Sequence, residues 1–585
     1  MRYRSLLLRA CAVVASLHFA SAASLAATPQ TPRLVVVVSV DQFAYEYLER
    51  FRAGFDPHGI INRCRHDGAW FTNCHHRHAI TTTGPGHSVQ LTGAYPESSG
   101  IVDNDWFDRA TGKDVYCVAD PQTKIVGPGE GHAPVSPRNL LVDTLGDRLK
   151  ILTDGRSKVF GVGAKDRAAI LLAGHAADGA FFLNGRCQWL TSNFYRDELP
   201  PYLRSWNNSD ALARYSGKTW DLLYERSRYR HPAKEDSFGE HPSKSTVDFP
   251  HKMHAIGSRD FYHDLLESPF GSEITLEAAR LIVADEQLGM DEFPDVLGIN
   301  ITPNDYVGHA YGPESLEVED ITYRTDRLLG EFADFVNERL EGRPWVLVIT
   351  ADHGVTPIPE LAARWKLAGR RNPLVVDKDY RPGPASQMLE AYLRRALGVT
   401  QTEPTLVRYF TDIQVYLRRD HPALQGERFV EAQRATRDWL LSQDCVAAAV
   451  TREQCLSGGA TGRTEAMLRR SFHPRRSGDV LFALEPYNIE GRSPATHGEP
   501  WECDTHVPLL MIGFGNASPD SRLIPGLYNR RVSPASIAPT LAWLLHVTPP
   551  AGCVEEPLLE VLPRGSHGSD SYQANGTAAQ PKKSE

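Results

Sequence analysis

Four short runs of consecutive apolar residues, each closing on charged groups, constrain this chain more than any other feature. They are Leu34 to Val40 before Asp41, Val159 to Val162 before Lys165, Val296 to Ile301 before Asp305, and Trp345 to Ile349 before Asp352-His353. A strand with one wet face alternates apolar and polar residues. A run that is apolar at nearly every position must be covered on both faces, as parallel strands sandwiched by helices are. In open sheets of that kind the carboxyl ends of the strands form the ligand crevice. The polar residues that close the four runs are therefore expected to converge.

Helical patterns lie between the runs. Val318, Ile321, Leu328, Phe332, Phe335 and Leu340 recur mostly at spacings of three, four or seven, which predicts a long helix from Ser315 onward. Thr83-Gly84-Pro85-Gly86-His87 reads as a helix start with proline near its first turn. Strands alternating with helices predict an α/β sandwich: a mainly parallel central sheet flanked by helices. Two segments break the alternation and are expected as insertions. Residues 191–287, rich in Tyr, Trp, Asn and charge, form a cap. Residues 361–475 form an α+β lobe, with strands at Ile413 to Leu417 and Ala447 to Val450 and a helix from Phe429 to Leu441. The catalytic core then comprises residues 28–190, 288–360 and 476–562, between a leader at 1–27 and a disordered tail at 563–585.

The leader has Arg2 and Arg4, an apolar run from Leu6 to Ala20 interrupted by Arg9, and small residues up to Ala27. This is the pattern of a cleaved secretory signal. The run is too short and too broken for a membrane anchor, and no later segment is apolar enough to span a bilayer. The expected location is the periplasm or the medium, with no membrane contact after cleavage. Of nine cysteines, eight remain once Cys11 departs, and an even number in an exported chain predicts disulfides. Cys64 with Cys74 and Cys445 with Cys455 are near in sequence, but eight cysteines allow 105 pairings. A net charge of −9 with no basic run before Pro581-Lys582-Lys583 argues against nucleic acid as a partner.

Asp41, Asp305 with His309, Asp352 with His353, and His497 supply carboxylates and imidazoles suited to two borderline metals such as zinc. Singly, each fits a strand cap or a satisfied histidine equally well. The pattern sharpens at Thr81-Thr82-Thr83-Gly84-Pro85-Gly86-His87 and at Leu91-Thr92-Gly93-Ala94-Tyr95-Pro96-Glu97, which runs on to Asp103-Asn104-Asp105-Trp106. With Ser39-Val40-Asp41, Asp305-Tyr306-Val307-Gly308-His309, Ala351-Asp352-His353-Gly354 and His497-Gly498, the chain resembles the nucleotide pyrophosphatase/phosphodiesterase branch of the alkaline phosphatase superfamily, in the family's order. That resemblance implies an alkaline-phosphatase-like sandwich with Thr83 as nucleophile. It also implies one metal on Asp41, Thr83, Asp352 and His353, a second on Asp305, His309 and His497, and zinc (two Zn2+) at both. Asn104 would donate to a phosphoryl oxygen.

Phe160-Gly161-Val162-Gly163-Ala164-Lys165-Asp166-Arg167 further resembles the phosphate-irrepressible bacterial alkaline phosphatases, in which a lysine and an arginine two residues apart bind the phosphoryl group. On an extended segment, alternation would put Lys165 and Arg167 on one side. Two cations there favour a dianionic monoester over a diester. The expected activity is hydrolysis of small phosphate monoesters through a phosphothreonine, releasing inorganic phosphate. A nucleotide phosphodiesterase is the alternative. A sulfatase is disfavoured because Thr-Gly-Pro-Gly-His stands where a Cys/Ser-x-Pro-x-Arg motif would be. The His75-His76-Arg77-His78 cluster is left as an entrance feature, a solvated patch or a third metal site.

Overall fold

The computed structural model describes residues 31–563 except 130, 231–248, 375, 379–380, 412, 490, 492 and 517–521. The leader, and the tail beyond residue 563, lie outside the described residues. A ten-stranded mixed sheet forms the centre. In chain order its strands are β1 (Leu34–Val40), β2 (Ala69–Phe71), β3 (Ile125–Val126), β4 (Val159–Gly163), β5 (Gly179–Leu183), β6 (Trp189–Ser192), β7 (Asp295–Ile301), β8 (Trp345–Thr350), β9 (Leu509–Phe514) and β10 (Gly526–Tyr528). Across the sheet they run β10-β2-β9-β8-β1-β7-β4-β5-β6-β3.

The middle of this sheet, β8-β1-β7-β4-β5, is parallel throughout. Both flanks change direction, because β9 is antiparallel to β8 and β6 is antiparallel to β5. Every residue of β1, β7 and β8 is buried, which is why these strands lack alternation. Their register decides the site. Leu34 pairs with Asp295 on one side and Trp345 on the other, and Ser39 pairs with Asn300 and Thr350. Three strands that start level also finish level, so the residues following them meet at one edge.

Helices cover both faces of the sheet. Those at the site are α1 (Thr83–Thr92), α2 (Asp166–Ala173), α3 (Pro303–Tyr311) and α4 (Leu316–Leu340). The predicted long helix is α4, whose N-cap Ser315 accepts a hydrogen bond from the Val318 amide. Residues of the predicted cap are tied to it. Asp320 accepts from Trp220 Nε1 and the Leu223 amide, each at 2.7 Å, and Glu317 meets His251 Nε2 at 2.8 Å. Beyond β8, the strands Val407–Phe410, Gln414–Leu417, Val480–Leu484 and Val446–Thr451 form a second sheet. It has its own core, which includes Leu389, Leu393, Val415, Trp439 and Phe482.

The expected disulfides do not form. All eight cysteines among the described residues are free, six of them buried and Cys503 and Cys553 partly so. The two pairs that looked close in sequence are separated by strands. Cys445 and Cys455 flank the six-residue strand Val446–Thr451, which spans about 20 Å, whereas a disulfide bridges Cα atoms about 7 Å apart at most. Cys64 lies in the helix Ile60–Asp67 and Cys74 follows β2, which stands between them. Nor is any described helix long and apolar enough to cross a membrane. A native disulfide would contribute about 2–4 kcal/mol, so free thiols have a measurable signature. The melting temperature should agree within about 1 °C with and without reductant, whereas a drop of several degrees would require a cystine that this arrangement lacks.

Candidate active site

Asp41 follows β1, Asp305 sits in the first turn of α3 after β7, and Asp352 lies just past β8. The shared register brings the three carboxylates together, all buried. Gln42, next to Asp41, holds a left-handed φ of 58°, a strained conformation for a residue with a side chain. The turn is put to use. The Gln42 amide donates to Asp352 Oδ1 at 3.2 Å and its Nε2 to Asp305 Oδ1 at 2.8 Å. Gly308 leaves room for this side chain, since a Cβ there would lie 1.7 Å from Gln42 Oε1.

Thr83 opens α1 and is 1% exposed, with its hydroxyl where unpaired helix amides favour an anion. Asn104 supports this end, its Oδ1 accepting from the Gly84 amide at 2.7 Å. The glycines of Gly-Pro-Gly-His have a steric reason. A Cβ on Gly86 would lie 2.2 Å from the Asp352 carbonyl oxygen, so only glycine lets α1 approach the acids this closely. His87 completes the seam. Its Nδ1 lies 2.9 Å from the Thr83 carbonyl and 3.2 Å from Asp352 Oδ2, and its Nε2 lies 3.0 Å from Asn300 Nδ2.

Lys165 and Arg167 reach the same hydroxyl. Lys165 Nζ lies 2.9 Å from Asp41 Oδ2, 2.7 Å from Asp305 Oδ2 and 3.4 Å from Thr83 Oγ1, and Arg167 Nη2 is also 3.4 Å from Thr83 Oγ1. The geometry differs from the predicted alternation on an extended segment. Lys165 is the N-cap of α2 and Arg167 lies in its first turn, so the turn of a helix start brings both cations to the crevice. Tyr116 was not anticipated from the sequence. Its hydroxyl accepts from Arg167 Nη1 at 3.3 Å and donates to Asp166 Oδ1.

The electrostatics follow from crowding. Burial, and then Asp352, push Asp41 up to about 6. Against the same cost of burial, Lys165 and His309 hold Asp305 well below the usual carboxylate range, as His353 and His87 do for Asp352. Burial opposes charge on His353, but Asp352, joined by Asp41 and Asp305, lifts the imidazole to about 9. Burial and the His353 ring, stacked 3.4 Å away, drive His497 down to about 3.

The donor set fits metal ions. Asp305, His309 and His497 form one group of potential ligands, and Asp41 joins Asp352 with His87, or Asp305 with His353, in two others. Separations of 3.2 Å from His309 Nε2 and 3.5 Å from His497 Nε2 to Asp305 Oδ1, and of 3.2 Å from His353 Nε2 to Asp352 Oδ2, suit tetrahedral zinc. Bonds of about 2.0–2.1 Å at that angle put neighbouring ligand atoms about 3.3 Å apart. In each of these histidines Nδ1 pairs with a carbonyl, of Ala495, Thr81 and Gly354 respectively, which turns Nε2 to the centre. Asp41 Oδ1, Asp352 Oδ2 and His353 Nε2 are buried without a hydrogen-bond partner. His87 differs, because both its nitrogens are engaged.

A cleft of about 440 Å³ opens beside the site, lined by Thr82, Asp103, Asn104, His309 and His497 on the core side. A larger groove of about 530 Å³, lined by Arg214, Glu273, Glu277, Arg280 and Arg324 among others, lacks such chemistry. Its side chains are largely ion-paired, as in Arg214 with Glu277. His75, His76 and His78 are buried. His75 stands near Glu502 and His506, but the His75 and His506 rings stack 4.2 Å apart at 15°, so their in-plane lone pairs run parallel and do not converge. Asp504 was also missed by sequence reasoning. It accepts from the Gly498 and Glu499 amides at 3.0 and 2.9 Å and from Thr356 Oγ1 at 2.9 Å, bracing the loop of His497.

The profile of the type I phosphodiesterase/nucleotide pyrophosphatase family matches residues 35–378. The chain belongs to that family. Alkaline phosphatase PhoV of Synechococcus elongatus is 31% identical over 91% of this chain and 94% of its own length. Alkaline phosphatase PafA of Elizabethkingia meningoseptica is 29% identical over 91% and 95%. A crystal structure of an alkaline phosphatase PafA superposes with a TM-score of 0.81 at 28% identity, covering 92% of this chain and all of that one. A second structure of that enzyme carries replacements of a threonine, an asparagine, a lysine and an arginine. This member of the type I phosphodiesterase family is thus a metal-dependent hydrolase of the alkaline phosphatase superfamily, in its PafA-like bacterial branch.

Gly86→Ala tests the close approach of α1 to the acids. A displacement of about 1 Å at a reacting group costs on the order of a hundredfold in rate, so kcat should fall by about that factor while the melting temperature moves by only a few degrees. Wild-type kcat in the alanine variant would show that the helix has room to spare.

Proposed function

We propose that this protein is an exported two-zinc alkaline phosphatase that hydrolyses small phosphate monoesters through a covalent phosphothreonine on Thr83. The observation that carries the proposal is the approach of two cations, the buried Lys165 and the partly buried Arg167, to 3.4 Å from one buried threonine hydroxyl. A monoester dianion leaves three non-bridging oxygens free, whereas a diester leaves two. Lys165 and Arg167 address the additional charged oxygen by charge-assisted bonds. The replaced threonine and asparagine of the PafA variant are 21 residues apart and its lysine and arginine two apart. Thr83 with Asn104 and Lys165 with Arg167 share these types and spacings.

In this reading Thr83 Oγ1 attacks phosphorus in line with the leaving alcohol. The amide of Asn104, the amino end of α1 and the guanidinium of Arg167 take up charge on the phosphoryl oxygens. Tyr116 accepts from the guanidinium and helps to orient it. Water then cleaves the phosphothreonine and inorganic phosphate leaves. Asp41, Thr83, Asp352 and His353 would hold one zinc ion, and Asp305, His309 and His497 the other. When bound, the pair supplies positive charge that eases deprotonation of a coordinated hydroxyl and offsets charge on the leaving oxygen.

The chain acts in the periplasm or as a secreted protein on small esters, without nucleic acid or membrane as partner. The leader pattern, the net charge of −9 and the lack of any membrane-crossing helix among the described residues support this. The core segments carry the chemistry. Thr411 and Ile413 of the lobe beyond β8, with Leu484 and Ile489 from the start of the third core segment, line the cleft as the wall against the leaving group.

The decisive measurement compares an aryl phosphate monoester with its methyl diester in wild type and in the Lys165→Ala, Arg167→Ala double variant. Two charge-assisted bonds worth about 1.5–3 kcal/mol each set a loss of at least about a hundredfold in monoester kcat/KM, with a much smaller loss on the diester. Equal losses on both substrates would mean that the pair supports the fold or the metals generally, and no change on either would return the phosphodiesterase reading. Metal analysis should give two zinc ions per active chain, with chelation abolishing turnover and zinc restoring it. Full activity at one ion per chain would contradict the two-site arrangement.

A further inference from the structure

Tyr306 follows Asp305 in the first turn of α3 and is partly buried. Successive side chains on a helix point about 100° apart, so an acid and a ring reach the Lys165 ammonium from different directions. Asp305 Oδ2 accepts from it at 2.7 Å, and Nζ stands over the Tyr306 ring, 5.3 Å from the centroid. A cation within about 6 Å of a ring centroid is attracted by the negative face of the ring, most strongly where water is excluded. Lys165 is 6% exposed. The lysine needs such a hold, because its four-carbon stem is flexible and an ammonium lacks the rigid fork of a guanidinium. Its carboxylate partners Asp41 and Asp305 are also assigned to the metals, whereas the ring has no second task.

We infer that Tyr306 is a positioning residue whose ring holds the Lys165 ammonium beside Thr83, and so sets how strongly the enzyme prefers phosphate monoesters to diesters. The inference rests on the monoesterase reading above and deepens it. Nζ stands 3.4 Å from Thr83 Oγ1, where that reading puts the phosphoryl group. An ammonium drawn wholly onto the acids, or swung away on its stem, would give up its charge-assisted bond to the oxygen that only a monoester leaves free. The ring acts through the lysine, without touching substrate. Its effect therefore passes through Lys165 and falls on the monoester. A side chain that only filled space beside α3 would, when altered, change stability or both substrates alike.

An aryl phosphate and its methyl diester make the test, read as the ratio of their kcat/KM values. The ratio should fall about tenfold in Tyr306→Leu, which removes the ring, and stand within about twofold of wild type in Tyr306→Phe, which keeps it. In a Lys165→Ala background, Tyr306→Leu should lower the ratio no further. A wild-type ratio in Tyr306→Leu, or a loss as large in Tyr306→Phe, overturns the role of the ring while leaving the monoesterase reading intact. So does an undiminished loss in the absence of Lys165. Should Tyr306→Leu not fold, phenylalanines with increasing numbers of ring fluorines at position 306 decide, since fluorine drains the ring face of negative charge at nearly constant shape. The ratio should fall with each fluorine, and a ratio independent of fluorination overturns the inference. Wild-type enzyme that hydrolyses the diester more efficiently than the monoester overturns the monoesterase reading itself, and this inference with it.

Discussion

Three carboxylates buried at the ends of adjacent parallel strands set the terms for everything around them. Asp41, Asp305 and Asp352 meet because β1, β7 and β8 run in register, and like charges out of water repel strongly unless offset. The surroundings are arranged to offset them. Lys165 bridges two of the acids, His353 and His87 lie against the third, and Gln42 donates to both Asp305 and Asp352. A site so rich in buried anions, with imidazole Nε2 atoms turned toward it, is chemically a cation receptor.

Thr83 depends on this cluster for its position. Helix α1 starts against the Asp352 backbone with no space for a Cβ at Gly86, and His87 connects the Thr83 carbonyl, Asp352 and Asn300. The threonine hydroxyl is thereby placed between cationic side chains and the acids with little freedom to move. Such pre-organisation lowers the entropic part of a barrier, because alignment is already established when substrate arrives. The lobe beyond β8 adds the other wall of the cleft without taking part in the central sheet, so the substrate's organic portion can be selected by residues that do no chemistry.

Much of this was legible in the sequence. The unalternating runs identified the central strands, the stripe from Val318 to Leu340 identified α4, and the motif residues Asp41, Thr83, Asn104, Lys165, Asp305, His309, Asp352, His353 and His497 do lie together in space with Arg167. Cysteine parity misled, since an even count states only that pairing is possible. Tyr116 and Asp504 left no sequence signal, because a tyrosine on a hairpin and an aspartate in a one-turn helix are unremarkable residues locally.

The sequence by itself determined which segments must be buried strands and helices, and which residue types could serve phosphoryl and metal chemistry, because periodicity and side-chain chemistry are local properties. Only the tertiary structure decided the register that levels β1, β7 and β8, the helix start that delivers Lys165 and Arg167, and the separation of the cysteines by strands. Those features are distances between residues far apart along the chain, and such distances are set by the packing of the whole sheet and lobe.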